Sequence, residues 1–202
     1  MAITLDSSGI VYPDSVTQTT AGFSHPTAPG SSFEGGYYVG SYYHIGYPYY
    51  IVMSPASAQT QARFRTQYNS IPGGSNLSPI DGYKNTYTYW TSDANSPAAQ
   101  YCADLTLNGY SDWYLPSVYE IMLGVHNRYN NTSQRLQGIK FYNGFSVFNG
   151  WQYHCTSSSG RVDDPYIVYT PDGLISHASI FGSLAYADTT FFYVRPFRRV
   201  AI

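Results

Sequence analysis

The spacing of hydrophobic and polar residues changes along this chain, and the changes predict where strands and helices lie. Residues 35–54, GGYYVGSYYHIGYPYYIVMS, predict one or two strands broken by glycines. The continuous apolar run at 49–53 is typical of a central strand. Two later segments instead repeat apolar residues every three or four positions, which predicts helices that bury one face.

The first predicted helix covers residues 96–109. Ser96 is a favourable N-cap, Pro97 fits the first helical position, and Asn108-Gly109 supplies a stop signal. The apolar stripe at i, i+3, i+4 and i+7 consists of Ala98, Tyr101, Cys102 and Leu105.

The second predicted helix begins at Ser117, where Glu120 stands three residues on and completes a capping box. Its apolar stripe consists of Val118, Ile121, Met122 and Val125. The stretch between the helices is expected to be a scaffold, in which Pro116 stops the first element. The residues expected to fill the corner are Asp112, Trp113 and Leu115.

Proline and turn motifs indicate the structure of two other segments. Residues 54–67 are compatible with a helix, although Pro55 and scattered polarity weaken that interpretation. Residues 68–86 are predicted to be a long loop, with turn signals at 72–74 and at Asp81-Gly82.

After residue 130 the chain returns to strands. Asn-Gly pairs at 143–144 and 149–150 indicate hairpins, and residues 165–180 form a clearer hairpin around Pro171–Gly173. Residues 189–202 are predicted to end the chain as one strand. The order of strand, two helices and several antiparallel strands predicts an α+β fold.

Residues 1–30 differ from the rest of the chain. Residues 3–22 are polar and rich in Ser and Thr, and a Pro/Gly/Ser linker follows at 23–32. A segment this short cannot bury a core alone, so we expect it to be disordered, to dock on the main domain or to pair with copies of itself. The predicted organisation is an N-terminal segment at 1–30 and one main domain at 31–202.

Composition excludes several classes of partner. Only 11% of the 202 residues are charged, against about 25% in ordinary globular chains, and the net charge is -2, so no nucleic-acid partner is expected. No apolar run approaches the ~18 residues of a membrane span, so no membrane insertion is expected. The N-terminus lacks the pattern of a secretory signal, which indicates synthesis in a cytoplasm. The 23 tyrosines suit binding surfaces, but they also suit half-buried strands.

No residue pattern selects a catalytic or metal site. Asp163-Asp164 is the only adjacent carboxylate pair, and without an Asp-x-Asp-x-Asp pattern it favours a solvated loop over a calcium site. The histidines show no ligand spacing and no Gly-x-Ser-x-Gly occurs, so we predict no enzyme, no cofactor and no metal. Cys102 and Cys155 are expected to be two buried thiols, although pairing stays open.

Several separated motifs make the main domain resemble a known domain family. Residues 98–120, AAQYCADLTLNGYSDWYLPSVYE, the motif DGYKNT at 81–86 and the closing strand at 193–202 fall in the order typical of the Lcl C-terminal-type domain. The resemblance implies a C-type-lectin-like fold for residues 33–202. Its structural signature would be Asp112, Trp113, Leu115, Pro116 and Glu120.

Two positions depart from that family pattern. Some members have a cysteine in the closing strand, where this chain has Pro196 and Phe197, and many have a tryptophan where this chain has Cys155. Both departures favour free thiols. Formylglycine-generating enzymes share the broad fold and use paired cysteines, but Cys102 lies on a predicted core stripe.

The segment GIVYPDSVTQTTA, residues 9–21, is similar to one found in many bacteriophage tail-fibre proteins, where three chains usually intertwine. Together with a lectin-like domain, this similarity implies a receptor-binding protein of the virion, made in the host cytoplasm. It would be a homotrimer attached through residues 1–30 to other tail or baseplate proteins. Its partner outside the virion would be a host surface glycan or protein.

The binding face of lectin-like domains is usually built from late loops and strands, which here implies the loops at 157–166 and 176–192. Aromatic rings can stack on sugars, and Asp or Arg can bond hydroxyls or carboxylates. Two other hypotheses stay open: a depolymerase that uses a carboxylate such as Asp163 or Asp172, and a purely structural virion component. The predicted ligand-binding residues are Arg161, Asp163, Asp164, Tyr166, His177, Phe181, Tyr186 and Phe191, with Tyr87 and Trp90 as neighbours.

Overall fold

The computed structural model describes residues 4–6, 9–11, 17–18, 25–26, 28–66, 77–92, 95–129, 153–161, 164–169, 174–177 and 191–202. These residues form short helices and largely antiparallel sheets, so the predicted α+β class is confirmed. The predicted turns at 72–74, 143–144, 149–150 and 171–173 lie outside the described residues. Within the described part, no helix is long and apolar enough to cross a membrane.

The first three strands form a small sheet of their own. Strands β1 (Thr4–Asp6), β2 (Gly9–Val11) and β3 (Thr17–Gln18) pair antiparallel in the order β1-β2-β3. They belong to the segment for which the sequence predicts an attachment role.

The main domain begins with a four-stranded antiparallel sheet. Its strands are β4 (Ser32–Phe33), β5 (Gly36–His44), β6 (Tyr47–Met53) and β12 (Phe197–Ala201), in the order β12-β6-β5-β4. The apolar run at 49–53 therefore lies in an internal strand, as predicted. Alternate residues face opposite sides of the sheet. Ile51 and Met53 pack in one core cluster, and Val52 packs in another.

A five-stranded sheet lies beside it. Strands β7 (Thr60–Arg63), β8 (Tyr153–Arg161), β9 (Asp164–Tyr169), β10 (Leu174–His177) and β11 (Phe191–Val194) follow the order β10-β9-β8-β11-β7. Among the strands that the structure describes, only the β8–β11 pair is parallel. The predicted hairpin at 165–180 is confirmed, because β9 and β10 pair antiparallel.

One helix interpretation and one strand prediction need correction. Of the segment 54–67, the described residues 54–66 are not helical beyond one 3₁₀ turn at Ala56–Ala58, because Thr60–Arg63 pairs with β11 along its whole length. The closing segment is two strands that enter different sheets. The chain crosses between the sheets at Arg195, whose buried guanidinium donates from Nε to the carbonyl oxygen of Ser54 at 2.7 Å.

Three helical segments occur among the described residues. Helix α1 (Gly82–Lys84) continues directly as a π-helical segment (Asn85–Trp90), α2 covers Pro97–Asp104 and α3 covers Val118–Tyr129. The two predicted helices are therefore confirmed. Asp81-Gly82 does not form the predicted turn. Asp81 instead caps α1, with Oδ1 accepting from the Lys84 N–H at 2.8 Å.

Helix α2 ends earlier than its predicted stop, since Leu105 is already extended. Asn108-Gly109 lies beyond the helix in a two-residue turn that pairs Leu107 with Tyr110. Both central residues have positive φ, 53° and 84°, which is the pattern of a type I′ turn. The pair therefore shapes a hairpin-like turn rather than the helix end.

The corner between α2 and α3 connects the cores of the domain. Trp113, Tyr114 and Leu115 are wholly buried, and each packs in a different hydrophobic cluster. The predicted scaffold role of this stretch therefore has a physical basis. Cys102 and Cys155 both belong to the cluster of Leu115, and both are free and buried, as expected.

Candidate functional site

The carboxyl group of Glu120 is the centre of a buried hydrogen-bond network. Its Oε1 accepts from the hydroxyls of Tyr114 at 2.7 Å and Tyr42 at 3.2 Å. Its Oε2 accepts from the N–H and the hydroxyl of Ser117 at 2.7 and 2.9 Å, and from the Gly82 N–H at 3.2 Å. Burial raises the pKa of Glu120, and the bonds from Ser117 and Tyr114 oppose that rise. We call these five residues the polar hub.

The hub requires a glycine at residue 82. A Cβ there would lie 2.5 Å from Glu120 Oε2 and 2.5 Å from the backbone nitrogen of Ser117. The start of α1 can therefore approach α3 closely only without a side chain. This contact, and not a turn, explains the glycine of the motif at 81–86.

The last residues of that motif bind the loops around the hub. Asn85 donates from Nδ2 to the Ser78 carbonyl at 2.7 Å and accepts on Oδ1 from the Ser78 N–H at 2.8 Å. The Thr86 hydroxyl accepts from the Leu115 N–H at 3.1 Å. Both side chains are wholly buried, so their role in this structure is to satisfy backbone groups.

Arg198 joins the corner to the four-stranded sheet. Its Nε and Nη2 donate to the two carboxylate oxygens of Asp112 at 2.8 and 3.1 Å. Its Nη1 donates to the Glu34 carbonyl at 2.8 Å, and the guanidinium carbon lies 3.7 Å from the centroid of the Tyr110 ring. A bidentate arginine with an aromatic face beside it is a rigid contact.

A charged cluster lies between the hub and the surface. Asp81 Oδ2 is 2.8 Å from His44 Nε2, and Asp81 Oδ1 accepts from Arg199 Nη1 at 3.0 Å. The guanidinium carbon of Arg199 lies 4.9 Å from the Tyr49 ring centroid and 4.3 Å from that of Tyr83. The Arg199 and His44 side chains keep 19% and 14% of their surface exposed, so the cluster reaches solvent at its edge.

The turn joining β5 to β6 carries the most exposed apolar side chains of the described residues. We call residues 43–47 the hairpin tip. Tyr43, Ile45 and Tyr47 are 77%, 78% and 66% exposed. Since no other large hydrophobic side chain in the described part is more than 55% exposed, the hairpin tip is a distinct surface feature.

The backbone of the hairpin tip is also unusual. The central residues Ile45 and Gly46 have φ values of 49° and 80°. The left-handed region is unfavourable for a β-branched residue, because its Cβ substituents crowd the backbone. Nothing lies within 4 Å of a Cβ placed on Gly46, so no packing holds the turn in this form at that position.

Two other turns of the molecule use the same geometry. Glu34-Gly35 has φ values of 46° and 82°, and Asn108-Gly109 has 53° and 84°. Asn is suited to the first position, and Glu34 is held there by Arg198 and Tyr110. Ile45 has no comparable explanation, and backbone strain of this kind accumulates at functional sites.

Six of the ten predicted ligand-binding residues lie outside the described residues or are described by their backbone alone. Phe181, Tyr186 and Asp163 lie outside the described residues, and Arg161, Asp164 and His177 are described only as strand positions. The region 157–166 is a pair of strands more than a loop, and Ser157–Ser159 are buried because β8 runs through the core. The predicted loop is corrected accordingly.

The four remaining predicted residues separate into two groups. Trp90 is wholly buried and donates from Nε1 to the Ser157 carbonyl at 2.9 Å, so its ring has no exposed surface for a ligand. Tyr87 donates to the Trp113 carbonyl at 2.8 Å, and Tyr166 packs on a core cluster. Phe191 is 55% exposed, with the guanidinium carbon of Arg63 5.2 Å from its ring centroid.

The sequence interpretation did not include the hairpin tip. Ile45-Gly46 is a poor turn signal, because type I′ turns favour Asn, Asp or Gly at the first central position. The available signal was the tyrosine content of 42–50 together with the glycine at 46. Within the described residues, no three His, Cys, Asp or Glu side chains form a group that could hold a metal ion.

Comparison of the chain with protein-family models, with curated proteins and with solved structures gives no match. The function is therefore argued from the geometry of the chain itself.

Proposed function

We propose that residues 31–202 are a C-type-lectin-like receptor-binding domain of a bacteriophage tail fibre. The domain presents the hairpin tip to a glycan or protein on the host surface. The observation that carries this proposal is Ile45, an exposed apolar residue held in a strained backbone conformation between two exposed tyrosines. Stability alone disfavours this arrangement, whereas contact with a partner uses both the rings and the exposed methyl groups.

The lectin-like part of the proposal is supported by the signature residues. Asp112 anchors Arg198, Glu120 holds the polar hub, and the backbone of Pro116 accepts from the Ser157 N–H at 2.8 Å. A rigid corner of this kind leaves hairpins and loops free to vary in chemistry without loss of the fold. The loops at 157–166 and 176–192 remain part of the proposed binding face. Phe191 in the second of them is described by the structure and is exposed.

The proposed assembly is a homotrimer joined through residues 1–30 to other tail or baseplate proteins. The small sheet of β1, β2 and β3 supports it, because its strands pair only with each other among the described residues. Three copies of one face bind a repetitive surface by avidity, so each contact can be weak. Each domain then needs no deep pocket for its receptor.

The test is binding of the labelled full-length protein to a panel of bacterial strains. The double variant Tyr43→Ser/Tyr47→Ser removes two rings from the hairpin tip and keeps its turn. We expect binding to a recognised strain to fall at least tenfold, since two aromatic contacts of about 1 kcal/mol are lost and avidity multiplies the effect.

Ile175→Ser is the matched control, because Ile175 is 45% exposed on β10, in the other sheet. Equal binding by the double variant and the wild type would overturn the role of the hairpin tip. Release of oligosaccharide from cells would instead indicate a depolymerase. Absence of binding to every strain, with capture of a virion protein by the tip, would indicate a structural component.

A further inference from the structure

A cavity of about 420 Å³ lies away from the hairpin tip, where two turns of the domain meet. One turn is Glu34-Gly35, and the other is Asn108-Gly109. Asn108 Nδ2 donates to the Gly35 carbonyl at 2.7 Å and joins the turns. The volume lies within the range of about 300–1,000 Å³ of small-molecule sites.

The walls combine polar groups with apolar surface. Residues 32–37, Pro55 and Asn108 line the cavity. Their side chains include the Tyr37 ring, the Ser32 hydroxyl and the Glu34 carboxylate, whereas the Phe33 ring is buried in a core cluster. Stacking surface beside hydroxyl, carboxylate and amide groups matches a sugar ring, which has apolar faces and a rim of hydroxyls.

The carboxylate of Glu34 is held in place but retains an acceptor. Its Oε2 accepts from the Tyr110 hydroxyl at 2.7 Å and lies 3.5 Å from Arg198 Nη1. Within the described residues, these contacts use only one of its two oxygens. Oε1 is therefore the acceptor available to a hydroxyl of a ligand, and hydrogen bonds to charged groups are the stronger ones.

The local charge selects among sugars. Arg198 is the one guanidinium shared by Asp112 and Glu34, so these three side chains sum to one negative charge. No lysine or arginine is among the residues that line the cavity. An acidic sugar would place its carboxylate beside an uncompensated one. A calcium ion would need six or more oxygens, and the cavity offers one carboxylate.

We propose that this cavity binds a neutral hexopyranose ring of a surface glycan, with Glu34 accepting from its hydroxyls and Asn108 fixing the wall. This cavity would be a second binding site, separate from the hairpin tip, and so it goes beyond the proposed function. It rests on the proposed function only in that the sugar would come from the host surface. Binding of a free sugar and binding of cells are therefore tested separately.

The experiment is saturation-transfer NMR of the full-length protein with the methyl glycosides of glucose, galactose and mannose, and with glucuronate. We expect transfer to at least one neutral glycoside and at least fivefold weaker transfer to glucuronate. Glu34→Gln keeps the shape and removes the charge. It should weaken neutral-sugar binding about tenfold, which is the loss of one charge-assisted hydrogen bond, and should reduce the discrimination against glucuronate.

Asn108→Gly is a second variant that preserves the left-handed turn, and Ile80→Ser is a control at an exposed residue outside both the cavity and the hairpin tip. We expect Asn108→Gly to weaken sugar binding and Ile80→Ser to leave it unchanged. The proposal is overturned if no neutral glycoside shows transfer, if glucuronate binds as well as they do, or if neither cavity variant weakens binding. Unchanged cell binding in the tip variant, together with normal sugar binding, would overturn only the role of the tip.

Discussion

The polar hub and the hairpin tip share one strand and differ in every other respect. Tyr42 and Tyr43 are consecutive in β5, yet Tyr42 is 8% exposed and donates to Glu120, whereas Tyr43 is 77% exposed. In the hub, the residue type suits the close contact. Gly82, which has no side chain, stands where the backbone approaches Glu120 and Ser117. In the tip, a β-branched residue occupies a conformation that favours Asn or Gly.

This difference separates the requirements of the fold from those of function. The residues of the hub are those expected in a stable fold. Its buried polar groups have hydrogen-bond partners, and its close backbone contact occurs at a glycine. The tip holds Ile45 in a backbone conformation that is unfavourable for a β-branched residue, and it exposes apolar surface. A residue choice that stability disfavours, at an exposed site, is most simply explained by a contact with another molecule.

Removal of the Glu120 side chain should produce the largest effect. Glu120→Ala leaves buried donors at Tyr114, Ser117 and Gly82 without an acceptor, and we expect a loss of about 3–5 kcal/mol in the free energy of unfolding. Urea unfolding measures it. Glu120→Gln retains one acceptor and most of the volume, so its loss should be smaller. Equal losses would show that the carboxyl contributes only volume.

The two glycines of the hub and the tip give the next comparison. Gly82→Ala forces a Cβ against the backbone of Ser117 and should cost about 1–3 kcal/mol through overpacking. Gly46→Ala meets no neighbour and should cost only the strain of its positive φ, about 1 kcal/mol. The two free energies of unfolding, measured side by side, test this order. A larger loss at Gly46 would contradict it.

Exchange of residues between two equivalent turns tests the strain of the tip. Ile45→Asn should stabilise the protein by about 1 kcal/mol, because Asn tolerates the left-handed conformation. Asn108→Ile should destabilise it by at least a similar amount, and it also removes the bond to Gly35. Thermal unfolding measures both changes. An unchanged or lower melting temperature for Ile45→Asn would show that Ile45 is not strained.

Alkaline pH should act on the hub with a smaller effect. Burial raises the pKa of the Tyr42 and Tyr114 hydroxyls, with Glu120 adding to the rise. The unfolded chain therefore loses these protons first, near its ordinary pKa of about 10, and stability falls as the pH rises. The two groups together should cost on the order of 1 kcal/mol at pH 10.

Unfolding free energies measured between pH 8 and pH 10.5 check this linkage. Tyr114→Phe should make the decline less steep, although it costs one hydrogen bond at neutral pH. Tyr47→Phe at the tip is the matched control, because its side chain is 66% exposed. An identical pH dependence for wild type and Tyr114→Phe would contradict a titrating hub.

The candidate site was less predictable than the fold, since the exposure of its residues depends on distant segments of the chain. The aromatic character of 42–50 was visible in the sequence, but which rings are exposed depends on the face that α3 covers. Trp90 illustrates the opposite case. The sequence predicted it as a neighbour of the binding residues, and the fold buries it against β8, where it donates to the Ser157 carbonyl.

The sequence by itself determined the elements whose cause is local. The capping box of Ser117 and Glu120, the stripe of α3 and the apolar run at 49–53 all depend on residues a few positions apart. The α+β class followed from their order. These predictions were correct because each requires only short-range hydrogen bonds and periodic burial.

Only the tertiary structure decided the features that depend on distant segments. Residues 60–63 became a strand because β11 lies beside them, with Thr60 opposite Val194. Asp81-Gly82 became a helix start because Glu120 accepts the Gly82 N–H, and the closing segment divided because two sheets compete for it. Local preference is worth a few tenths of a kcal/mol to about 1 kcal/mol per residue, and a partner segment that supplies hydrogen bonds and burial outweighs it.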